Sequence, residues 1–333
     1  MWMIDNKTPY AAERNWTRDQ RGMHVWIVAV KATFDVASNG KLTLADKQIP
    51  PVLVPEYRGD PNTASLRFDS DLLAVKPGTD VLLDACAYAP KGRATETVPV
   101  SLRVDRVYKT LLVHGTRMYY KGFVGMTLSA PQPFVTRPIE YEAAFGGTDT
   151  SDPNPQKHRI DIRNPVGKGF ALEPKFLENQ MAHSVEYPNG NPAKVGPAGF
   201  GPLTSFWSPR LERSGTYDAN WEKSKKPLLP DDYDARCALS APDDQRPSQP
   251  LRGGEVVLLE NMTPEGRLLF QLPEIFPTFT THVNGRAEHH LAILTTVFLA
   301  VEKMQLSLVW QTSLPVRSRE VEYLDGTDIR EKP

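Results

Sequence analysis

The stretch Trp26-Ile27-Val28-Ala29-Val30-Lys31-Ala32-Thr33-Phe34-Asp35-Val36 decides the fold class. Its even positions are all apolar, while its odd positions end in Lys31, Thr33 and Asp35. This period of two predicts a β-strand with one face in the core and the other toward water. Residues 38–41 read Ser-Asn-Gly-Lys, and Asn-Gly accepts the positive φ angles of a tight hairpin. We therefore predict a long strand that turns back into a second strand at residues 42–44.

The same pattern recurs on both sides of the middle of the chain. Further alternating or apolar runs predict strands at residues 81–87, 100–104, 110–113, 255–259, 267–272, 291–301 and 304–310. A Thr-Pro-Glu-Gly turn at 263–266 and the pair Asn284-Gly285 predict two more hairpins. The fold class predicted is mainly β, with few short helices. Its strands are expected to form two β-sandwich-like units, at 1–130 and 251–315.

The segment 131–250 has a different character. It holds about half of the 30 prolines, which remove backbone donors and interrupt helices and central strands. It is also rich in aromatic residues, unlike a disordered linker. We predict an ordered, irregular layer packed on the β units, with short helices at 139–144 and 219–223. Residues 316–333 are predicted to form a charged, loosely held tail.

Composition and charge argue against several classes of function. The 333 residues carry a net charge of −1, without the surplus of Lys and Arg that nucleic-acid binding requires. The N-terminus lacks the pattern of a signal peptide, and the apolar run 291–301 is about half the length of a membrane span. Cys86 and Cys237 have no neighbours at metal-ligand spacing. We expect a cytoplasmic protein without cofactors, in which two reduced thiols are favoured over one disulfide.

Two groups of residues are candidates for catalysis or metal binding. They are the carboxylates of Asp231, Asp232 and Asp234 and the imidazoles of His282, His289 and His290. Such groups serve paired-carboxylate hydrolysis and metal sites, but carboxylates beside proline turns usually cap turns or face solvent. The other histidines are isolated in sequence, at His24, His114, His158 and His183. No nucleophile elbow, Walker lysine loop or dinucleotide-binding glycine motif occurs. A metal- or carboxylate-dependent hydrolase is therefore the alternative functional hypothesis.

A series of short motifs in the middle segment resembles one bacterial family. The motifs are Tyr-Glu-Ala-Ala-Phe-Gly-Gly-Thr-Asp (141–149), Asn-Pro-Val-Gly-Lys-Gly-Phe (164–170), Pro-Ala-Gly-Phe-Gly-Pro (197–202), Trp-Ser-Pro-Arg (207–210), Gly-Thr-Tyr-Asp (215–218), Leu-Pro-Asp-Asp-Tyr-Asp (229–234) and Ala-Pro-Asp-Asp-Gln (241–245). Residues 30–34 and 76–81 match as well. In this order, the motifs look like a family of formally unknown function that is encoded beside type VI secretion spike genes.

The resemblance covers residues 6–315 and implies a binding role. Members of that family are thought to be adaptors or chaperones that stabilise an effector, often one with a PAAR-like domain, and help to load it on the VgrG spike. The resemblance carries over no catalytic residues. The chain departs from the family pattern at 84–86 and at 236–240. A further hypothesis is a structural piece that travels with the secreted spike.

An adaptor needs a rigid surface whose side chains dominate the binding energy. Prolines restrict the middle segment before it binds, and aromatic residues and arginine dominate protein interfaces. We predict partner-binding anchors in this segment, namely Trp207, Arg210, Tyr217, Trp221 and Tyr233. The competing interpretation is that these large side chains fill the core of the chain itself.

Overall fold

The computed structural model describes residues 2–332 and confirms a mainly β protein with few short helices. Its strands are β1 (Met3–Asn6), β2 (Ala11–Arg18), β3 (His24–Val36), β4 (Leu42–Leu44), β5 (Glu56–Tyr57), β6 (Leu66–Phe68), β7 (Asp80–Asp84), β8 (Cys86–Tyr88), β9 (Thr97–Val104), β10 (Val107–His114), β11 (Tyr119–Lys121), β12 (Met126–Leu128), β13 (Thr136–Pro138), β14 (Phe145–Gly146), β15 (Thr148–Asp149), β16 (Arg159–Ile160), β17 (Lys168–Gly169), β18 (Val185–Glu186), β19 (Val256–Glu260), β20 (Arg267–Gln271), β21 (Pro277–Val283), β22 (Arg286–Leu291), β23 (Ile293–Ala300), β24 (Gln305–Val316) and β25 (Leu324–Glu331). The α-helices are α1 (Pro192–Val195) and α2 (Ala219–Ser224). Short 3-10 helices lie at Pro90–Gly92, Tyr141–Ala143, Pro155–Lys157, Pro174–Leu177, Leu211–Arg213, Ala235–Ala238, Asp243–Gln245, Val301–Lys303 and Ser318–Tyr323.

The long strand β3 is part of the main sheet, which has the order β2-β3-β24-β23-β7. β2 pairs with one edge of β3 from Ala11↔Lys31 to Arg18↔His24, and β4 pairs with the end of β3. Neighbouring strands are antiparallel except β23 and β7, which are parallel. β2 is therefore an edge strand of this sheet.

Two further sheets complete the scaffold. The second sheet has the order β18-β10-β9-β19-β20, and the third has the order β1-β25-β21-β22. The third sheet joins both ends of the chain, because β1 runs parallel to β25 from Met3↔Gly326 to Asn6↔Ile329. Small two-stranded pairs link β5 to β6, β8 to β13, β11 to β12, β14 to β17 and β15 to β16.

This topology corrects the predicted division of the chain into two β units. The main sheet combines β2 and β3 from the first part of the chain with β23 and β24 from the last part. The second sheet likewise combines β9 and β10 with β19 and β20. Segments 1–130 and 251–315 therefore share sheets and one central core. Local periodicity shows which face of a strand is buried, but it does not identify the neighbouring strand.

The tail predicted at 316–333 is also corrected. Its last part, β25, lies between β1 and β21 in the third sheet, and both Leu324 and Ile329 are fully buried. The charged residues Asp325 and Arg330 occupy exposed positions of the same strand. Because the tail has many charged residues, the sequence analysis did not recognise the buried positions that alternate with them.

Both faces of β3 are buried, which corrects the prediction of a one-sided strand. The even positions from Trp26 to Val36 join the central core. The odd positions join a second apolar cluster, which consists of Val25, Ile27, Ala29, Leu72 and Val309. Even Lys31 is only 5% exposed, and its ammonium group lies 3.2 Å from the carboxylate of Asp71. The odd face therefore lies beneath a second layer of chain.

The predicted hairpins are confirmed. β3 turns into β4 through Asn39-Gly40, and β19 turns into β20 through 263–266. Between β21 and β22, Asn284 and Gly285 have φ angles of 49° and 71°, as an Asn-Gly turn requires. The helix predicted at 219–223 is α2, whereas the one predicted at 139–144 is only a 3-10 turn.

The middle segment is tied to β7 by a buried polar network. Asp80 is fully buried and lies 2.9 Å from the ammonium group of Lys76. It also accepts hydrogen bonds from the backbone N–H groups of Ser240, at 2.8 Å, and Ala241, at 3.0 Å. Burial alone would raise the pKa of Asp80, but Lys76 and these donors lower it. A buried network in which every polar group has a partner holds the middle segment in one position on β7.

Two whole-chain predictions concern membranes and cysteines. Among residues 2–332, no helix combines the length and the apolar character needed to cross a membrane. Cys86 and Cys237 are both free thiols in this structure and are not bonded to each other. Burial, together with Glu302, raises the pKa of the Cys86 thiol to about 12, which makes its reactive thiolate rare near neutral pH.

Candidate functional site

A groove of about 1090 Å³ lies on the side of the main sheet that faces away from the central core. One wall is formed by Asn15, residues 17–21, Asp69, Ser70 and residues 72–75, and the other by residues of the segment 205–238. We call this feature the outer groove. Two of its apolar lining residues remain open to solvent, because Val75 is 51% exposed and Leu211 is 42% exposed. Exposed apolar side chains within a groove are typical of binding surfaces.

Arg210 lies at the base of the outer groove and is only 4% exposed. Its Nη1 atom lies 2.9 Å from Asp69 Oδ2, and its Nε–H donates to the carbonyl oxygen of Cys237 at 2.8 Å. The guanidinium therefore joins the two walls of the groove. Its Nε and Nη1 donors are engaged within the chain, and its role as a partner-binding anchor remains a prediction.

Tyr217 and Trp221 form an aromatic pair beside the groove. Asp218 caps α2 by accepting a hydrogen bond from the N–H of Trp221 at 2.8 Å. The two rings meet edge to face with centroids 4.7 Å apart, and Trp221 Nε1–H donates to the carbonyl oxygen of Leu228 at 2.8 Å. Tyr217 lines the groove and is 52% exposed. Trp221 packs against Tyr217 but does not itself line the groove.

Tyr233 is the third predicted anchor that lines the outer groove. It is half-buried, and burial raises the pKa of its hydroxyl to about 12. The hydroxyl is therefore neutral at physiological pH and able to donate a hydrogen bond. Cys237 and Ala238 lie in the same lining, within the stretch that departs from the family pattern.

Trp207 corrects its own prediction as an anchor. It is only 1% exposed, and its ring meets that of Tyr141 edge to face with centroids 5.8 Å apart. It packs with Tyr141 and Leu203 in a small core within the middle segment. The irregular segment has no periodicity, so its sequence did not separate this core residue from the exposed Tyr217.

The wall that contains the end of β2 was absent from the sequence prediction. Gln20 Nε2 donates to the carbonyl oxygen of Asp231 at 3.0 Å and thereby links this wall to the middle segment. Arg18 and Arg21 are exposed along the rim. The two linked residues are 211 positions apart, so no local pattern could have paired them.

The three carboxylates of the alternative hypothesis serve local structure. Asp231 forms an exposed ion pair. Asp232 accepts hydrogen bonds from the N–H and the hydroxyl of Thr216, at 2.9 and 2.7 Å, and these lower its pKa. Asp234 accepts a bond from the N–H of Arg236 at 2.9 Å, and its contacts with Arg236 lower its pKa to about 2. A general acid requires a raised carboxyl pKa instead.

The β21–β22 hairpin does not bring the three histidines to one face. His282 lies 3.0 Å from Asp328, and His289 lies on the same exposed face. His290 points to the opposite face, where its Nδ1 lies 2.7 Å from the hydroxyl of Thr312. Burial lowers the pKa of His290 to about 4. Within the described residues, no three His, Cys, Asp or Glu side chains converge in a way that suits a metal ion.

The structure also joins two histidines that are isolated in sequence. The carboxylate of Glu186 lies 2.8 Å from His114 Nε2 and 2.9 Å from His183 Nε2. It also accepts a hydrogen bond from Arg117 at 3.1 Å. Burial alone would raise the pKa of Glu186, but these three partners lower it far below the ordinary range. The cluster joins β10 to β18, and no motif in the sequence signalled it.

Comparison with known proteins places the chain in a family. No curated protein matched the chain, and no solved structure matched it. A family described as "Uncharacterized protein conserved in bacteria (DUF2169)" matches residues 21–311. This range runs from just before β3 into β24 and includes the whole middle segment. The chain therefore belongs to the DUF2169 family of uncharacterized bacterial proteins.

Proposed function

We propose that this chain is an adaptor of the type VI secretion machinery. In this proposal it works in the cytoplasm, binds and stabilises a PAAR-like effector and helps to load it on the VgrG spike. The observation that carries the proposal is the outer groove, which combines exposed apolar and aromatic side chains with fixed walls. The series of motifs along the middle segment supports the same role.

The walls of the groove are held in place before any partner binds. Arg210 ties the middle segment to Asp69, and Gln20 ties it to the turn after β2. A rigid surface loses little conformational entropy on binding, so more of the contact energy appears as affinity. This property suits a protein that holds another polypeptide.

The lining of the groove suits a polypeptide. Its volume of about 1090 Å³ lies near the upper limit of the range of roughly 300–1,000 Å³ that is usual for small-molecule sites, so the lining rather than the size supports this proposal. Tyr217 presents an exposed aromatic ring beside the apolar Val75 and Leu211. Exposed tyrosines of this kind often dominate the energy of protein interfaces.

A strain that lacks this chain tests the proposal. We expect the amount of the PAAR-like effector encoded nearby to fall in cells and in the medium, and we expect the wild-type chain to restore both. Immunoblots of both fractions measure the effect. Equal effector levels in the two fractions with and without the chain would rule the proposal out.

The same strain separates the adaptor from the hydrolase. Complementation with Asp231→Ala or His290→Ala is expected to restore the effector as fully as the wild-type chain does. Both variants alter groups that hydrolysis would need, and neither residue lines the outer groove. Loss of complementation by stable, folded forms of these variants would favour the hydrolase.

A further inference from the structure

β2 presents an open sheet edge beside the outer groove. In an antiparallel pair, alternate residues direct their N–H and C=O groups toward the partner strand. The N–H of Arg14 donates to Glu13 Oε1 at 2.9 Å, and the N–H of Trp16 donates to Asn15 Oδ1 at 2.8 Å. Both donors therefore point away from β3, and the even-numbered residues of β2 form the free edge.

The neighbouring strand supports this assignment. Thr33 is an odd-numbered residue of β3, beyond the end of its pairing with β2, and its N–H donates to Gln48 Oε1 at 2.8 Å. The N–H of Ala45 donates to the carbonyl oxygen of Thr33 at 2.9 Å. The backbone N–H and C=O groups of the odd-numbered residues of β3 thus point toward β2. In the observed register they lie opposite the odd-numbered residues of β2.

Within residues 2–332, the backbone groups of the free edge form hydrogen bonds only with side chains, while the ring of Trp2 stacks on that of Trp16. At its start, Asn6 Nδ2 donates to the carbonyl oxygen of Tyr10 at 2.7 Å. Beyond that point, within residues 2–332, no backbone group of another segment bonds to the even positions from 12 to 18. The side chains of Glu13 and Asn15 accept hydrogen bonds from two outward-pointing N–H groups, those of Arg14 and Trp16. The carbonyl groups of an incoming strand are able to replace such acceptors at little cost.

We propose that the partner adds an extended strand to the edge of β2 and places alternate side chains in the outer groove. Asn15, Thr17 and Arg18 of β2 also line the outer groove, so a strand added to this edge runs beside the groove. Main-chain hydrogen bonds then supply affinity, and the groove supplies specificity for alternate side chains. This inference rests on the proposed function, because the partner is the effector.

The charge of the edge selects the chemistry of the added strand. Arg14, Arg18 and Arg21 are all exposed along β2 and its turn. The only ion pair of Arg14 within the described chain is with its neighbour Glu13, at 3.4 Å in an exposed position. Opposite charges across an interface guide association and fix the register. The added strand is therefore one in which acidic residues face the arginines and apolar residues face the groove.

Hydrogen exchange of individual amides tests this inference on the full chain and its PAAR-like effector. In the free chain, the N–H groups of Arg14 and Trp16 are expected to exchange quickly, whereas those of Glu13 and Asn15 are protected by β3. In the complex, exchange at Arg14 and Trp16 is expected to slow by about tenfold or more. A complex that leaves both amides unprotected overturns the added strand but not the adaptor. Failure to form any complex overturns both.

A matched pair of variants gives a second readout. Arg14→Pro removes an outward N–H and leaves the β3 ladder intact, because proline is tolerated on the open side of an edge strand. Arg14→Ala removes the same charge but keeps the N–H. We expect the proline variant to bind the effector at least about tenfold more weakly than the alanine variant. Equal affinities would overturn the inference, and the exchange measurement stands if the proline variant does not fold.

Discussion

Glu186 shows how a single side chain joins distant parts of this fold. Its carboxylate contacts His114, His183 and Arg117 at distances of 2.8 to 3.1 Å. Buried polar groups stabilise a fold only while their partners are present, because an unpaired one keeps its desolvation cost. The three partners of Glu186 therefore depend on one carboxylate.

We predict that Glu186→Gln lowers the free energy of unfolding by about 3 kcal/mol at pH 7. The pKa of Glu186 is lower in the folded chain than its ordinary value of 4.5. Its stabilising effect is therefore complete above that value and is lost progressively as the pH falls from about 4.5 toward the much lower folded pKa. Denaturant unfolding from pH 7 down to pH 3 measures both effects. The exposed Glu178→Gln is the control, and equal effects of the two substitutions would contradict the prediction.

Lys109 is a second residue whose burial has a measurable consequence. Its ammonium group lies 3.0 Å from Asp244 and 2.7 Å from Gln245 Oε1. Burial lowers the pKa of Lys109 to about 8, although Asp244 opposes the shift. The folded chain therefore releases this proton at a lower pH than the unfolded chain does.

The lowered pKa of Lys109 makes the free energy of unfolding increase with pH over a defined range. Between pH 8 and 10.5, the unfolded chain holds more protons at Lys109, so this residue makes stability rise with pH. We predict that wild type gains up to about 3 kcal/mol relative to Lys109→Met across that range. Unfolding free energies of the two proteins at several pH values measure the difference. A constant difference from pH 8 to 10.5 would show that the lysine titrates normally.

At the scale of elements, the sequence predicted individual strands and turns better than their assembly. The alternation in β3 and the Asn284-Gly285 turn identified local structure, because both signals depend on adjacent residues. The pairing of β3 with β24 was not predictable, since it depends on contacts between the two ends of the chain. The same limit hid the strand β25 within a charged tail. The prediction that only one face of β3 is buried was wrong, because a second layer of the chain covers the side chains of its odd-numbered residues.

Two glycines allow a controlled test of the β3–β4 turn. Gly40 and Gly92 have φ angles of 82° and 65°, so alanine is strained by about 1 kcal/mol at either position. At Gly40, however, a Cβ atom would lie 1.9 Å from the carbonyl oxygen of Leu269, whereas at Gly92 it meets nothing within 4 Å. We predict that Gly40→Ala destabilises the chain by at least about 2 kcal/mol more than Gly92→Ala. Thermal and denaturant unfolding measure this difference, and equal losses would contradict the observed contact between the turn and β20.

At the scale of the whole molecule, the outer groove exists only because distant segments meet. Three of the five predicted anchors, Arg210, Tyr217 and Tyr233, line the groove, and their role in binding a partner remains a prediction. Composition did not distinguish them from Trp207, which lies in the core. The opposite wall, near β2, lacked any sequence signal because it lines a groove only beside the folded middle segment.

The affinity of the chain for the proposed PAAR-like effector tests the account most directly when Tyr217→Ala is compared with Tyr108→Ala. Both tyrosines are exposed, at 52% and 66%, but only Tyr217 lines the outer groove. Calorimetric titration of each folded variant with the effector is expected to show about tenfold weaker binding or more for Tyr217→Ala. Tyr108→Ala is expected to bind like wild type. Equal affinities for the two variants would contradict the claim that the outer groove holds the partner.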